Sequence, residues 1–188
     1  MTEHHEKRDS SGDTEEWEVL DSVVEYETGW YTGGYDLLEQ PDGSQKKYYW
    51  AELPAAVVVV AVADDELVMV EQFRPVIGEH CLELPAGIVE DGESYATAGA
   101  RELREETGFD AGEVSLLAEF WTATGVLRHR RGIVFAEELQ PGTPERDSNE
   151  FITVRSVPVS QAVEVAQAEP ANDATLEGVL LAKHEGQI

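Results

Sequence analysis

The segment from Gly87 to Phe109, GIVEDGESYATAGARELREETGF, constrains the fold and chemistry of this chain more than any other. Its central part predicts a single helix. Ser94 suits the first position, because a serine side chain accepts a hydrogen bond from a free backbone N–H at a helix start. Gly108 suits the end, because glycine adopts the left-handed conformation without a steric penalty. The residues between them are mostly good helix formers.

Three carboxylates share one face of this predicted helix. Glu102, Glu105 and Glu106 stand at positions i, i+3 and i+4, so their side chains are neighbours. Like charges at this spacing destabilise a helix, and a divalent cation is the simplest compensation. Carboxylate oxygens are hard ligands, which suit Mg²⁺ or Mn²⁺. Arg101 is placed to reach Glu105 one turn later. On the glutamates alone, a solvated acidic helix is the alternative.

The small and apolar residues of the helix divide between two faces. The face predicted to pack contains Ala96, Ala100, Leu103 and Thr107. Ala98 and Gly99 lie beside the acidic face one turn before the glutamates. Their small size predicts that a bulky ligand comes close to the helix there.

The complete spacing of this segment carries more information than the glutamates do. Gly87 is followed after five residues by Glu93, and after seven more by Arg101-Glu102-Leu103-x-Glu105-Glu106-x-Gly108-Phe109. This matches every fixed position of the Nudix box, GX5EX7REUXEEXGU, in which U is an apolar residue. Because chance agreement at so many positions is negligible, the chain resembles the Nudix hydrolases.

The resemblance continues outside the box. Glu71-Gln-Phe-Arg-Pro, followed by Glu83-Leu-Pro-Ala-Gly, is similar to the ADP-ribose pyrophosphatase branch. The resemblance implies an α+β fold of the α/β/α sandwich type, a mixed β-sheet flanked by helices with an N-terminal antiparallel sheet. It also implies Mg²⁺-dependent hydrolysis of the pyrophosphate bond of a nucleoside diphosphate linked to another moiety, with ADP-ribose giving AMP and ribose 5-phosphate. A homodimer is implied too, since this branch builds its base pocket from two N-terminal sheets.

The same resemblance assigns roles around the metal. The backbone carbonyl of Ala86 is implied to join Glu102 and Glu106 as a ligand, and Glu105 to be a further ligand or a nearby base. The motif residues Gly87, Glu93, Arg101 and Gly108 are implied to hold the loop and helix together. A glutamate on a later loop often completes the site or activates water in this branch. Glu150 fits that place, with Glu145 as the alternative, and a surface carboxylate is equally compatible with either.

Substrate-binding residues are implied on the strands before the box and in the N-terminal segment. Arg74 is placed to contact a phosphate, with a surface ion pair as the alternative, and Glu83 is assigned to the same site. Trp30 or Tyr31 is implied to stack on the base, and packing in the core is the alternative for both aromatic residues.

One departure weakens the choice of substrate. The ADP-ribose branch usually has a proline before a glycine about sixteen residues after the box, and here Thr124 precedes Gly125. Another nucleoside diphosphate sugar, such as GDP-mannose, or a dinucleoside polyphosphate therefore remains an alternative substrate. The basic run Arg128-His-Arg-Arg131 either faces the substrate's phosphates or forms a solvated turn. A domain that binds ADP-ribose without cleaving it is disfavoured, because such domains usually lose box glutamates.

Charge limits the partners of the chain. The 188 residues include 39 acidic and 13 basic side chains, a net charge of −26, which argues against nucleic acid or an anionic membrane. Acidic residues spread through the whole chain with few lysines are typical of halophilic organisms. The single cysteine, Cys81, fits a reducing cytoplasm. Residues 1–16 have no apolar segment typical of a signal peptide and are predicted to form a disordered acidic tail.

The rest of the chain is predicted to form strands and two further helices. Residues 17–54 are predicted to form an N-terminal β segment with a possible role in dimerisation, and residues 55–188 the Nudix domain. The run AAVVVVAV from Ala55 predicts a central strand buried on both faces. Strands are expected at residues 17–26, 29–38, 45–53, 67–73, 113–121, 132–139 and 151–159. Helices are expected at residues 160–168, capped by Ser160, and at residues 173–184.

Overall fold

The computed structural model describes residues 16–145 and 151–188, and within them the chain forms two compact units that divide after Ala51. Residues 1–15 of the predicted tail lie outside the described residues. None of the helices in the described ranges has the length and apolar character needed to span a membrane.

The N-terminal unit is an antiparallel sheet. Its strands lie side by side in chain order: β1 (Glu18–Glu27), β2 (Thr32–Glu39) and β3 (Gln45–Glu52). β1 and β2 are antiparallel, with Val23 opposite Tyr35. The turn before β3 contains Asp42 and Gly43. Many apolar side chains of this unit are exposed, including Trp17, Tyr26, Trp30 and Tyr49.

The C-terminal unit is built around a seven-stranded mixed sheet. The strands along its main path lie in the order β13 (Thr153–Pro158), β5 (Glu66–Arg74), β4 (Ala56–Ala63), β11 (Arg130–Glu137) and β9 (Glu113–Trp121). The pair formed by β4 and β11 is parallel, whereas the other pairs are antiparallel. β6 (Glu79–Glu83) pairs with β5, and β7 (Ala86–Ile88) pairs with β4.

Helices cover both faces of this sheet, because β4 is apolar on both sides. Val57 and Val59 point into one core with residues of α1 (Tyr95–Thr107). Val58 and Val60 point into a second core, which includes residues of α2 (Ala162–Ala166) and α3 (Asp173–His184). These four valines are at most 1% exposed. The predicted α+β fold, an α/β/α sandwich, is therefore confirmed.

Short elements complete the unit. They are β8 (Phe109–Asp110), β10 (Leu127–Arg128), β12 (Gln140–Pro141) and a 3-10 turn at Val159–Gln161. The predicted helix from Ser160 was wrong at its start. Ser160 lies inside the 3-10 turn, and Gln161 precedes α2 without a side-chain capping bond. Pro158 ends β13 immediately before this turn, so the chain passes through one 3-10 turn before the α-helix begins.

Candidate active site

The box begins as a strand attached to the centre of the sheet. β7 pairs antiparallel with β4, so that Gly87 lies opposite Val57 and Ala86 opposite Val58. The chain then turns at Glu90–Glu93, where the N–H of Glu90 donates to Oε2 of Glu93 at 3.0 Å. The loop is therefore fixed at one end by the sheet and at the other by a motif glutamate.

Helix α1 begins and ends where the sequence predicted. Oγ of Ser94 accepts a hydrogen bond from the N–H of Thr97 at 3.1 Å. Gly108 ends the helix with φ of 80°, and its N–H donates to the carbonyl of Arg104. These two caps set the length of the helix, and so they fix which turn carries the glutamates.

The packing face of α1 differs from the prediction. Leu103 and Thr107 are buried as expected, whereas Ala96 and Ala100 are only half-buried. Ala98 and Gly99 are buried instead, and a Cβ on Gly99 would lie 2.6 Å from Cγ2 of Val134. Their small size lets the helix approach the sheet closely. The prediction that they leave room for a bulky ligand was therefore wrong.

Arg101 lies at the centre of the box carboxylates. Its Nη2 donates to Oε2 of Glu93 at 3.0 Å, and its Nη1 lies 2.8 Å from Oε1 of Glu102 and 2.9 Å from Oε2 of Glu105. Its Nη2 also donates to the carbonyl of Ile88 at 2.8 Å. The hydrogen bonds that Arg101 donates to Glu93 raise the pKa of Arg101 and lower the pKa of Glu93.

Glu102 and Glu106 reach from the helix to the box strand. Glu106 is 3% exposed, and its Oε2 accepts the N–H of Ala86 at 3.2 Å. Glu102 is 8% exposed and packs on Gly87, where a Cβ would lie 2.0 Å from the carboxyl carbon. Only a glycine allows this approach, which explains why the motif needs Gly87 opposite Glu102.

The oxygen atoms of this cluster are chemically suited to bind a hard divalent cation. Glu93, Glu102 and Glu105 carry three negative charges against the single guanidinium of Arg101, and Glu106 adds a fourth beside the backbone of Ala86. The carbonyl and carboxylate oxygens in this region are the ligand type that Mg²⁺ and Mn²⁺ prefer. Among residues 16–145 and 151–188, however, no group of three His, Cys, Asp or Glu side chains is close enough to hold an ion. Arg101 instead binds two of the predicted ligands directly.

A second cluster surrounds Glu83, at the end of β6. Glu83 is 8% exposed, and its Oε2 accepts Nε of Arg74 at 2.7 Å and Nε2 of Gln72 at 3.1 Å. Its Oε1 accepts Nδ2 of Asn172, at the start of α3, at 3.0 Å. The structure thus brings the predicted residues Arg74 and Glu83 into one ion pair. Sequence reasoning did not identify Gln72 and Asn172; the position of Asn172 just before an apolar helix was an available signal for a cap.

The later loop approaches the end of α1. Nη2 of Arg104 lies 2.8 Å from Oε1 of Glu145, and the N–H of Glu145 donates to the carbonyl of Glu105 at 3.1 Å. Glu145 is therefore beside the box helix, although its side chain is 62% exposed. Glu150, the first choice for this role, lies outside the described residues.

Three residues of the basic run after β9 have different partners. Nδ1 of His129 lies 2.7 Å from the carbonyl of Pro54. The guanidinium of Arg130 lies over Trp121 and pairs with Glu119, whereas Arg131 pairs with Asp173 and Glu177 of α3. A solvated turn therefore does not describe His129 and Arg131, which are largely buried.

The predicted base-stacking residues belong to the N-terminal unit. Trp30 is 70% exposed and Tyr31 is 38% exposed, and the ring of Tyr31 packs edge-on against Tyr26. Packing in a core, the alternative for both residues, does not describe Trp30.

The pattern of residues in this site also characterises a protein family. The NUDIX domain matches residues 52–179 of the chain. The chain belongs to the NUDIX family. It is a Nudix hydrolase, and Nudix hydrolases generally use divalent metal ions.

Curated relatives and solved structures agree with this assignment. The chain is 34% identical over 140 residues to an ADP-ribose pyrophosphatase of Bacillus subtilis, covering 73% of this chain and 76% of the relative. It is 30% identical over 132 residues to a methanol dehydrogenase activator of Bacillus methanolicus, covering 69% and 71%. A crystal structure of an ADP compounds hydrolase matches 91% of this chain and 95% of its own, with a TM-score of 0.83 and 24% identity. The last match shows the fold, and together they confirm the resemblance to the ADP-ribose pyrophosphatase branch.

Proposed function

We propose that this Nudix hydrolase cleaves the pyrophosphate bond of nucleoside diphosphate sugars, with ADP-ribose as its main substrate. The observation that carries the proposal is the intact box, in which Arg101 binds Glu93, Glu102 and Glu105 and the fourth glutamate, Glu106, accepts the N–H of Ala86. The likeness to an ADP-ribose pyrophosphatase over most of both chains supports the choice of substrate.

The cation is proposed to be Mg²⁺, with Mn²⁺ able to replace it. Glu102, Glu105, Glu106 and the carbonyl of Ala86 would hold it. When bound, such a cation supplies charge neutralisation for the pyrophosphate oxygens and acidity for a water molecule. Arg101 holds Glu102 and Glu105 in fixed orientations through Nη1, and the N–H of Ala86 orients Glu106.

The proposed reaction consumes one water molecule. Its oxygen forms a bond to one phosphorus, the bond from that phosphorus to the bridging oxygen breaks, and AMP and ribose 5-phosphate leave. A carboxylate accepts the proton of the water, and Glu105, Glu145 and Glu150 are the proposed candidates. Arg74 is proposed to bind a phosphate through the part of its guanidinium that does not contact Glu83, and Trp30 or Tyr31 to stack on the base.

A related substrate is the second candidate. Thr124 stands where the ADP-ribose branch usually has proline, which favours testing other nucleoside diphosphate sugars and dinucleoside polyphosphates. A binding domain without activity is the least supported function, because no box glutamate is missing.

A panel assay tests the function. ADP-ribose, GDP-mannose and a diadenosine polyphosphate are incubated with enzyme and Mg²⁺, and a phosphatase releases phosphate from the products. We expect ADP-ribose to give the highest kcat/KM and a chelator to abolish turnover. Turnover of a different compound at tenfold higher kcat/KM would reject the substrate, and no turnover with any compound would reject the activity.

We also propose that the enzyme is a cytoplasmic homodimer. The exposed aromatic residues of the N-terminal unit support the dimer. Trp17, Tyr26, Trp30 and Tyr49 are each more than two-fifths exposed. Single molecules seldom expose so many large apolar side chains in one small region. Light scattering in molar KCl is expected to give twice the mass of the 20.7 kDa chain. A single species of monomer mass across the micromolar range would reject the dimer.

A further inference from the structure

We propose that Asn172 is a positioning residue for substrate binding, which acts through Glu83 on Arg74. The inference rests on the proposed function, in which Arg74 binds a phosphate of the substrate. It adds Asn172, the cap residue of α3 and far from the box in sequence, to the machinery of the site.

The first step is the burial of Glu83. A carboxylate that is 8% exposed needs charged or hydrogen-bonding partners, because burying an unpaired charge is costly. Arg74 and Gln72 from β5 supply two donors to Oε2, at 2.7 and 3.1 Å. Asn172 supplies the donor to Oε1, at 3.0 Å. Three donors from two separate elements therefore fix the plane of this carboxylate.

The second step is the double use of the Asn172 amide. Its Oδ1 accepts the N–H of Thr175 at 2.8 Å and so caps α3, while its Nδ2 donates to Glu83. An amide can do both because it carries a carbonyl acceptor and an NH₂ donor. Aspartate and serine cap helices equally well. Neither offers an equivalent donor to Glu83, since aspartate has none and the serine side chain is shorter.

The third step is a parallel contact in the same turn. Oγ1 of Thr175 accepts the N–H of Leu84 at 3.1 Å, and Thr175 is 2% exposed. The start of α3 thus binds both Glu83 and Leu84, directly before the box strand. This second contact keeps α3 attached to the strand when the Asn172 bond is removed, so a cap-preserving substitution can be tested in a folded protein.

The last step links Glu83 to Arg74. Among the described residues, Arg74 is held through Nε, and its side chain is 45% exposed. An arginine fixed at Nε presents its two Nη groups in a defined direction, which suits bidentate binding of a phosphate. Loss of the Asn172 bond frees one side of the Glu83 carboxylate, so the direction of Arg74 becomes less defined. Binding should weaken, whereas the chemistry at the box should not change.

The test compares N172S and N172D with the control D173N in the full-length enzyme. D173N changes the neighbouring residue of the same turn and removes the pair with Arg131, which keeps Glu177. We expect N172S to raise KM for ADP-ribose roughly tenfold with kcat within about twofold, the size of one lost hydrogen bond to a charged group. N172D should raise KM further, because a carboxylate then faces Glu83. D173N should change neither constant.

A double-mutant cycle with R74A shows whether Asn172 acts through Arg74. In the R74A background, N172S should leave KM unchanged. The same factor in both backgrounds, or an unchanged KM in folded N172S, would overturn the proposal.

A readout without substrate separates this inference from the proposed function. The Nε–H of Arg74, observed by NMR, should exchange with solvent faster in N172S than in the wild type or D173N. If the wild type cleaves no nucleotide sugar, the proposed function fails, and the exchange rate in N172S then tests the positioning role on its own. Faster exchange than in the wild type supports that role, and unchanged exchange rejects it.

Discussion

The arrangement around Arg101 shows how one residue can organise a site that carries excess negative charge. It binds Glu93 on the loop and Glu102 and Glu105 on the helix, so it joins the two parts of the box. Sequence spacing predicted the contact with Glu105 at i+4. The contact with Glu93 depends on the turn at Gly92. Helix periodicity alone does not predict the geometry of that turn.

Glu93 gives a prediction for pH dependence. Arg101 lowers its pKa below the ordinary value of 4.5, so the ion pair stabilises the folded state above pH 4.5. This stability is lost as the pH falls through the lowered pKa of the folded state. We expect E93Q to lose about 2 kcal/mol at pH 7, the scale of a hydrogen bond to a charged group. In urea unfolding, the difference from the wild type should shrink below pH 4.5.

E90Q is the matched control for this experiment, because Glu90 is exposed in the same turn and its substitution removes the same charge. It should leave the free energy of unfolding within about 0.5 kcal/mol of the wild type, as most exposed substitutions do. An E93Q deficit that stays constant from pH 7 to pH 3.5 would contradict the ionic explanation.

Glu106 gives the prediction for catalysis. Glutamine keeps the size of the side chain and an oxygen that can accept the N–H of Ala86, so E106Q is expected to fold. It removes one negative charge from the proposed cation site. We expect kcat for ADP-ribose to fall about a hundredfold or more, as when one charge-stabilising group is removed from other enzymes. Near-normal turnover at saturating Mg²⁺, with an unchanged melting temperature, would rule out the assigned role.

At the scale of elements, α1 shows that small residues can serve packing rather than ligand access. Gly99 faces Val134 on β11, and an added Cβ would come within 2.6 Å of it. Overpacking costs about 1–3 kcal/mol, whereas replacing glycine by alanine in a helix gains about 1 kcal/mol. We therefore expect G99A to lower the free energy of unfolding by about 1 kcal/mol, measured with urea.

The double variant G99A/V134A tests the cause of that loss. V134A removes the Cγ2 methyl group that the new Cβ would meet most closely, so G99A should cost nothing, or stabilise the protein, in this background. Equal destabilisation by G99A in both backgrounds would show that the close contact with Val134 is not the reason.

Elements with strong local signals were predicted closely. β9 and α3 have the predicted bounds, because apolar and aromatic residues mark the first and an apolar helical pattern marks the second. The short strands β6 and β7 were missed, since their partners on β5 and β4 are fixed by the tertiary fold. The contact of Asn172 with Glu83 was missed for the same reason: Asn172 lies 89 positions further along the chain, and only the packed fold brings its amide to the carboxylate.

At the scale of the whole molecule, charge dominates the expected behaviour. A net charge of −26 on 188 residues means that carboxylate repulsion opposes folding wherever it is unscreened. The many carboxylates outnumber the guanidinium and ammonium groups threefold, so local ion pairs such as those of Arg101 and Arg131 cannot neutralise the surface. Salt in the solvent is the remaining source of compensation.

The last prediction follows from this excess charge and from the halophilic source that it favours. The Debye length falls from about 10 Å at 0.1 M salt to about 3 Å at 1 M, so molar KCl should remove most repulsion between surface carboxylates. We expect the melting temperature and activity both to rise from 0.1 M to above 1 M KCl at fixed pH. Mg²⁺ at millimolar concentration should replace part of this effect in the wild type and less of it in E106Q, because Glu102, Glu105 and Glu106 repel one another until a cation binds. A melting temperature that stays flat or falls over this range of KCl would reject the halophilic interpretation, while the Nudix assignment rests on the box and is independent of salt.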